Sequence, residues 1–144
     1  MQDRIEMLRQ VPLFQSLPAG SLKIIAGLLS DDYVDEGMEV IREGEPADRL
    51  YLLVEGEVEV IKGYLQENAT ALGVFGPVAT FGEMGLIDKD TRSATVVTTE
   101  RSHFFTLDRE PFQILIQNNI EICHSLLQEM CRRLRQADEI ASTR

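Results

Sequence analysis

Three glutamate-glycine pairs, Glu36-Gly37, Glu43-Gly44 and Glu55-Gly56, cut the middle of this chain into runs too short for ordinary helices. Each glycine stands where a tight turn needs positive φ, a conformation that L side chains adopt only at a cost. Between the turns the apolar residues recur with a period of two, which puts successive side chains on opposite faces of a strand. The spacing predicts strands over 32–35, 39–42, 49–55, 57–62, 69–75, 94–99 and 102–107. Seven or eight short strands joined this way make an antiparallel barrel or jelly roll. Gly37, Gly44 and Gly56 are then fold residues, with no ligand contact expected of them.

Helical periods flank this block. Residues 3–10 and 19–29 read as short amphipathic helices punctuated by Pro12 and Pro18, and Ile5, Leu8, Leu13, Phe14 and Leu17 supply an apolar cap. After the strands, 109–117 and 120–141 return to helix. In the longer of these, Cys123, Leu127, Met130, Leu134, Ala137 and Ala141 recur at spacings of four and three, a heptad seam, with Ile122 and Leu126 as a second stripe. A homodimer through the C-terminal helix is one expectation, and a single broad core-facing side is the other. The fold class expected is α+β: an antiparallel β-roll or jelly-roll barrel with N-terminal helices and a long C-terminal helix. One domain would span 1–144, as a helical cap 1–30, a β-roll 31–108 and C-terminal helices 109–141.

Charge and composition then exclude several functions. A net charge of −10 opposes nucleic-acid binding by this chain, since phosphate contacts need clustered Lys and Arg. Arg132, Arg133 and Arg135 do cluster, but Glu129, Asp138 and Glu139 interleave with them as on a solvated helix face. No apolar run is long enough for a membrane span, and MQDRIEMLRQ lacks the form of a signal peptide, so a cytoplasmic protein without membrane attachment is expected. Cys123 and Cys131 stand eight residues apart, about 12 Å along a helix, too far to bridge. His103 and His124 have no ligand-spaced companions, and no nucleophile-base arrangement can be assembled. Neither an enzyme nor a metal or cofactor site is expected.

The chemistry concentrates in FGEMGLIDKDTRSATV, residues 81–96. An anion carrying vicinal hydroxyls needs a fixed cation, backbone N–H donors and an acceptor. Arg92 offers a planar fork matched to two phosphate oxygens. Ser93 adds a hydroxyl donor, and Glu83 can accept from a ribose hydroxyl. Met84, Gly85 and Leu86 are expected to open a short helix whose N–H groups favour an anion, with Gly82 and Gly85 letting the backbone approach it. A phosphorylated sugar fits this set.

This segment resembles the phosphate-binding cassette of cyclic-nucleotide-binding domains, the module of catabolite-activator-type regulators, cyclic-AMP-dependent kinase regulatory subunits and nucleotide-gated channels. The run EGMEVIREGEPADRLYLLVEGEVEVI is similar to the family's β-roll, and the likeness extends from about residue 8 to 140. It implies that Gly82 and Glu83 hold the ribose 2′-hydroxyl, that Arg92 pairs with the cyclic phosphate, and that amides of Gly85 and Ser93, beside Met84 and Ala94, complete the cradle. It further implies a lid over the purine from the long helix, near Arg133, Ala137 and Asp138. Cyclic-AMP-selective activators place adjacent hydroxyl residues there. Ala137 has no side-chain donor, whereas Asp138 can accept from an exocyclic amine, so the purine stays open between cyclic AMP, favoured by its frequency in the family, and cyclic GMP. The function implied is a sensor module that couples ligand binding to C-terminal helix movement, without the DNA-binding domain, its effector unknown. The alternatives are the same fold sensing a different small anion, or a dimerising interaction module with an unused site.

Overall fold

A computed structural model describes residues 2–142, with side chains through 139. It falls into two compact units, a β unit of residues 28–113 and a helical unit built from the described parts of 1–27 and 114–144.

The β unit contains ten strands, all paired antiparallel. Strands β1 (Ser30–Val34), β10 (Ser102–Asp108), β4 (Arg49–Glu55) and β7 (Thr80–Phe81) form one sheet in the order β1-β10-β4-β7. Strands β2 (Glu39–Ile41), β9 (Thr95–Thr98), β5 (Val58–Lys62) and β6 (Thr70–Phe75) form the second, in the order β2-β9-β5-β6. A two-stranded ribbon joins β3 (Pro46–Ala47) to β8 (Asp90–Thr91). Between the sheets lies an apolar cluster of Leu53 and Phe104 from the first with Ile41, Val58 and Val96 from the second. Tyr51 packs against it and meets Phe104 edge to face at 5.7 Å.

The expected strands are all present, with ends that move by one or two residues. Glu57 belongs to the turn before β5, and Ala69 to the turn before β6. The β3, β7 and β8 strands were not expected, because two residues carry no readable period. Gly37, Gly44 and Gly56 do adopt positive φ. At Gly56 space also matters: a Cβ there would stand 2.3 Å from Ser102 Oγ in the adjacent strand. His103 of β10 lies 2.8 Å from an Asp31 carboxylate oxygen and stacks on Tyr33 at 4.3 Å, which accounts for it structurally.

In the helical unit, α1 (Gln2–Leu8) and α2 (Ala19–Ala26) flank a turn-rich segment. Leu8, Leu13, Phe14 and Leu17 are buried as expected of the cap, while Ile5 is half-buried. The second helix ends at Ala26, short of the expected Leu29, and Gly27 follows it with helical dihedrals, its N–H shared between the Lys23 and Ile24 carbonyls. Helix α3 (Arg109–Gln117) begins in the β unit, and α4 (Ile120–Ser142) is the long C-terminal helix. Along α4, Ile122 and Leu126 are buried, whereas Leu127 and Leu134 are 60% and 66% exposed. Cys123 and Met130 are half-buried and Ala137 is exposed; the Ala141 side chain lies outside the described residues. Among the described residues, no helix is long and apolar enough to cross a membrane.

Candidate ligand site

The cassette begins where β7 ends. Gly82 takes φ 83°, the left-handed region, and turns the chain into a single 3-10 turn, Glu83–Leu86. The Gly85 N–H donates to the Gly82 carbonyl at 3.0 Å, and Ile87 and Asp88 donate to Met84 at 3.1 and 3.0 Å. Met84, Gly85 and Leu86 lie in the expected short helix, which is a single 3-10 turn and starts one residue earlier, at Glu83. The Gly85 amide is engaged within that turn by the Gly82 carbonyl.

Close packing explains both glycines. A Cβ on Gly82 would lie 1.9 Å from Arg92 Nη1 and 2.7 Å from the Arg49 carbonyl oxygen. One on Gly85 would lie 2.6 Å from the Ala47 carbonyl oxygen. Both glycines thus also stand close to the protein's own backbone, and Gly82 to Arg92.

Arg92 is held at both ends. Its backbone N–H donates to the Glu45 carbonyl at 2.8 Å, and its carbonyl accepts from the Gly44 N–H at 2.8 Å. The Gly44 turn, expected to be only architectural, therefore fixes the backbone of the site's cation. At the other end, Nη2 donates to the Arg49 carbonyl at 2.7 Å, and the guanidinium carbon stands 5.9 Å from the Tyr51 ring centroid. Burial pushes the Arg92 guanidinium below its ordinary pKa. Tyr51 and Asp48 oppose that shift, and the cations of Arg49 and Arg109 add to it. Arginine stays charged regardless, so the site holds a half-buried cation whose desolvation favours an incoming anion.

These groups share one cavity of about 350 Å³, within the roughly 300–1,000 Å³ span of small-molecule sites. Gly82, Glu83, Met84, Gly85, Arg92, Ser93 and Ala94 all line it, so every expected cassette residue is brought together. Ile41, Val60, Phe81 and Val96 supply an apolar wall. Among the described residues, no group of three or more His, Cys, Asp or Glu is placed to hold a metal. Arg133, Ala137 and Asp138, expected as a lid, lie on α4 in the helical unit. There Arg133 is half-buried with Nε donating to Glu129 at 3.4 Å, and Ala137 and Asp138 are exposed. Arg49, Tyr51 and the Gly44-Glu45 turn were missed as site residues. Tyr51 stands opposite Phe81 in the β4–β7 register, a pairing that no local pattern shows, and the Gly44 turn is legible in the sequence only as a turn.

Residues 31–119 match the family model of the cyclic nucleotide-binding domain. The cyclic AMP receptor protein of Thermus thermophilus is 31% identical over 127 residues, 88% of this chain and 59% of its own. A cyclic nucleotide-gated potassium channel of Mesorhizobium japonicum is 38% identical over 117 residues, 81% of this chain and 31% of its own. The chain thus spans less than two thirds of both relatives. Among solved structures, the N-terminal domain of a transcriptional regulator from Streptomyces coelicolor superposes with a TM-score of 0.85 at 28% identity, covering 94% of each chain.

Proposed function

The chain belongs to the cyclic nucleotide-binding domain family, and on that premise we propose that it is a sensor taking up cyclic AMP, in preference to cyclic GMP, in the cavity beside Arg92. One observation carries this: a fixed, half-buried guanidinium, the Glu83 carboxylate and the Ser93 hydroxyl line a single cavity with an apolar wall. Arg92 pairs with the cyclic phosphate and Ser93 adds a hydroxyl donor. Glu83 accepts from the ribose 2′-hydroxyl, and Ile41, Val60 and Val96 face the purine. The preference for cyclic AMP is supported by likeness to a protein named for that ligand.

Occupancy is coupled to α4 by population shift, since a ligand that binds one arrangement better than another moves the equilibrium toward it. Arg133, Ala137 and Asp138 are the α4 residues proposed to cover the purine. The exposed Leu127 and Leu134 favour pairing of α4 with a second copy. The output resides in an effector of unidentified kind.

Isothermal titration of nucleotide-free protein tests the site. Wild type is expected to bind cyclic AMP at micromolar concentration or tighter and cyclic GMP more weakly. Arg92→Ala should cost about 2–5 kcal/mol, thirtyfold or more, because a charged partner is left uncompensated. Glu83→Ala should cost roughly tenfold, one hydrogen bond to a charged acceptor. No heat with either nucleotide would sink the proposal and leave another anion or an unused site as the reading.

A further inference from the structure

Helix α3 opens on a cation that turns back onto the cassette. Arg109 Nε donates to the Gly85 carbonyl at 2.6 Å. Its Nη2 donates to the Ala47 carbonyl and, at 3.4 Å, to that of Asp88. The Arg109 backbone N–H donates to the Asp48 carbonyl at 2.9 Å. One turn further on, Gln113 Nε2 donates to the Leu86 carbonyl at 3.3 Å. Residues four apart share a helix face, so one side of α3 takes the carbonyls of Gly85, Leu86 and Asp88.

Those carbonyls need such partners. A single 3-10 turn makes few bonds of its own; the amides of Gly85, Ile87 and Asp88 are used within it, and the carbonyls of Gly85, Leu86 and Asp88 are met by α3. The Arg109 fork reaches two chain segments at once, the cassette and β3, which a point-like ammonium cannot do with the same geometry. Ala47 is also the residue against which Gly85 packs. A second link runs nearby: Arg92 donates to the Arg49 carbonyl, and Arg49 Nε pairs with Asp108 at 2.5 Å, the residue before Arg109. The phosphate-site cation and the start of α3 are thus joined through consecutive hydrogen bonds.

We propose that Arg109 is a positioning residue for the ligand site, its fork fixing the 85–88 backbone against β3 so that cassette and first turn of α3 move as one piece. Its consequence for affinity rests on the cyclic-nucleotide reading; its consequence for the cassette backbone does not.

Two variants separate fork from charge. Arg109→Lys keeps the charge and loses the fork, and Arg109→Gln loses the charge and keeps one amide donor. Hydrogen exchange of ligand-free protein, well below its melting temperature, is expected to quicken at least tenfold at amides of 83–88 in both variants, with β9 and β10 unchanged. Titration with cyclic AMP is expected to show roughly tenfold or greater weakening in both. Wild-type affinity and exchange in Arg109→Lys, with loss only in Arg109→Gln, would mean charge alone acts and overturns the proposal. Exchange raised equally in every strand overturns it too, since Arg109 would then serve global stability. Unchanged exchange at 83–88 does the same. If wild type binds no cyclic nucleotide, the ligand assignment fails and the exchange data alone decide the role of Arg109.

Discussion

At Gly85 a single added methyl would stand 2.6 Å from the Ala47 carbonyl oxygen and 3.0 Å from the Ala47 Cβ, both on a paired strand with little freedom to yield. Gly85→Ala should therefore destabilise the protein by about 1–3 kcal/mol, the usual cost of overpacking. Gly82→Ala meets a different obstacle, because its nearest neighbour is a side-chain atom, Arg92 Nη1 at 1.9 Å, ahead of the Arg49 carbonyl oxygen at 2.7 Å. Left-handed backbone costs an L residue about 1–2 kcal/mol, and the displaced guanidinium should reduce nucleotide affinity nearly as far as Arg92→Ala does. Thermal melts and titrations of the two variants check this. Wild-type affinity in Gly82→Ala would show that Gly82 does not make room for Arg92. Glu83, Arg92 and Ser93 were legible in the sequence because their chemistry is carried by residue type. Arg49 and Tyr51 were not, because they reach Arg92 only through the β4–β7 register and a backbone carbonyl.

Along α4 one acidic side chain is buried with two arginines. Glu129 is 2% exposed and accepts from Arg132 Nε at 3.0 Å, from Arg132 Nη2, and from Arg133 Nε at 3.4 Å. The hydrogen bonds from Arg132 hold its carboxyl below the ordinary value against the opposing effect of burial, with Arg133 helping. A depressed carboxylate stabilises the fold above its unfolded-state pKa, about 4.3 for glutamate, and that contribution disappears as pH falls below this value through the folded one. Glu129→Gln should flatten the acid limb of stability in that window. Denaturation curves between neutral pH and pH 3 measure it, and an unchanged acid limb would remove Glu129 from the account. Read from sequence, the interleaved charges of this helix signalled only a solvated face. Spacing does put Glu129 on the stripe of Ile122 and Leu126, but an acidic residue there gives no sign that the stripe is still buried at that turn. Nor could the pattern show the ribbon of β3 and β8, whose two-residue strands exist only through their pairing.

For the whole molecule, Leu127 and Leu134 stand exposed at the heptad positions of α4 where Cys123 and Met130 are half-buried. If α4 pairs with a second copy, sedimentation up to about 100 μM protein should show a dimer that dissociates on dilution. Leu127→Glu, away from the residues proposed to cover the purine, should then give monomer with nucleotide binding retained. A wild-type monomer throughout that range would sink the pairing. The sequence by itself determined the seven strands longer than two residues, the helical segments, the glycine turns, and the residue types of the cassette's cation, carboxylate and hydroxyl. Periodicity, turn chemistry and side-chain type are local properties, written within a few residues of where they act. Only the tertiary structure decided why Gly82 and Gly85 are glycine, what holds Arg92, and that Arg109 grips the cassette from α3. Those depend on atoms tens of residues apart in the chain, brought within hydrogen-bonding or van der Waals distance by strand register, which a local pattern does not encode.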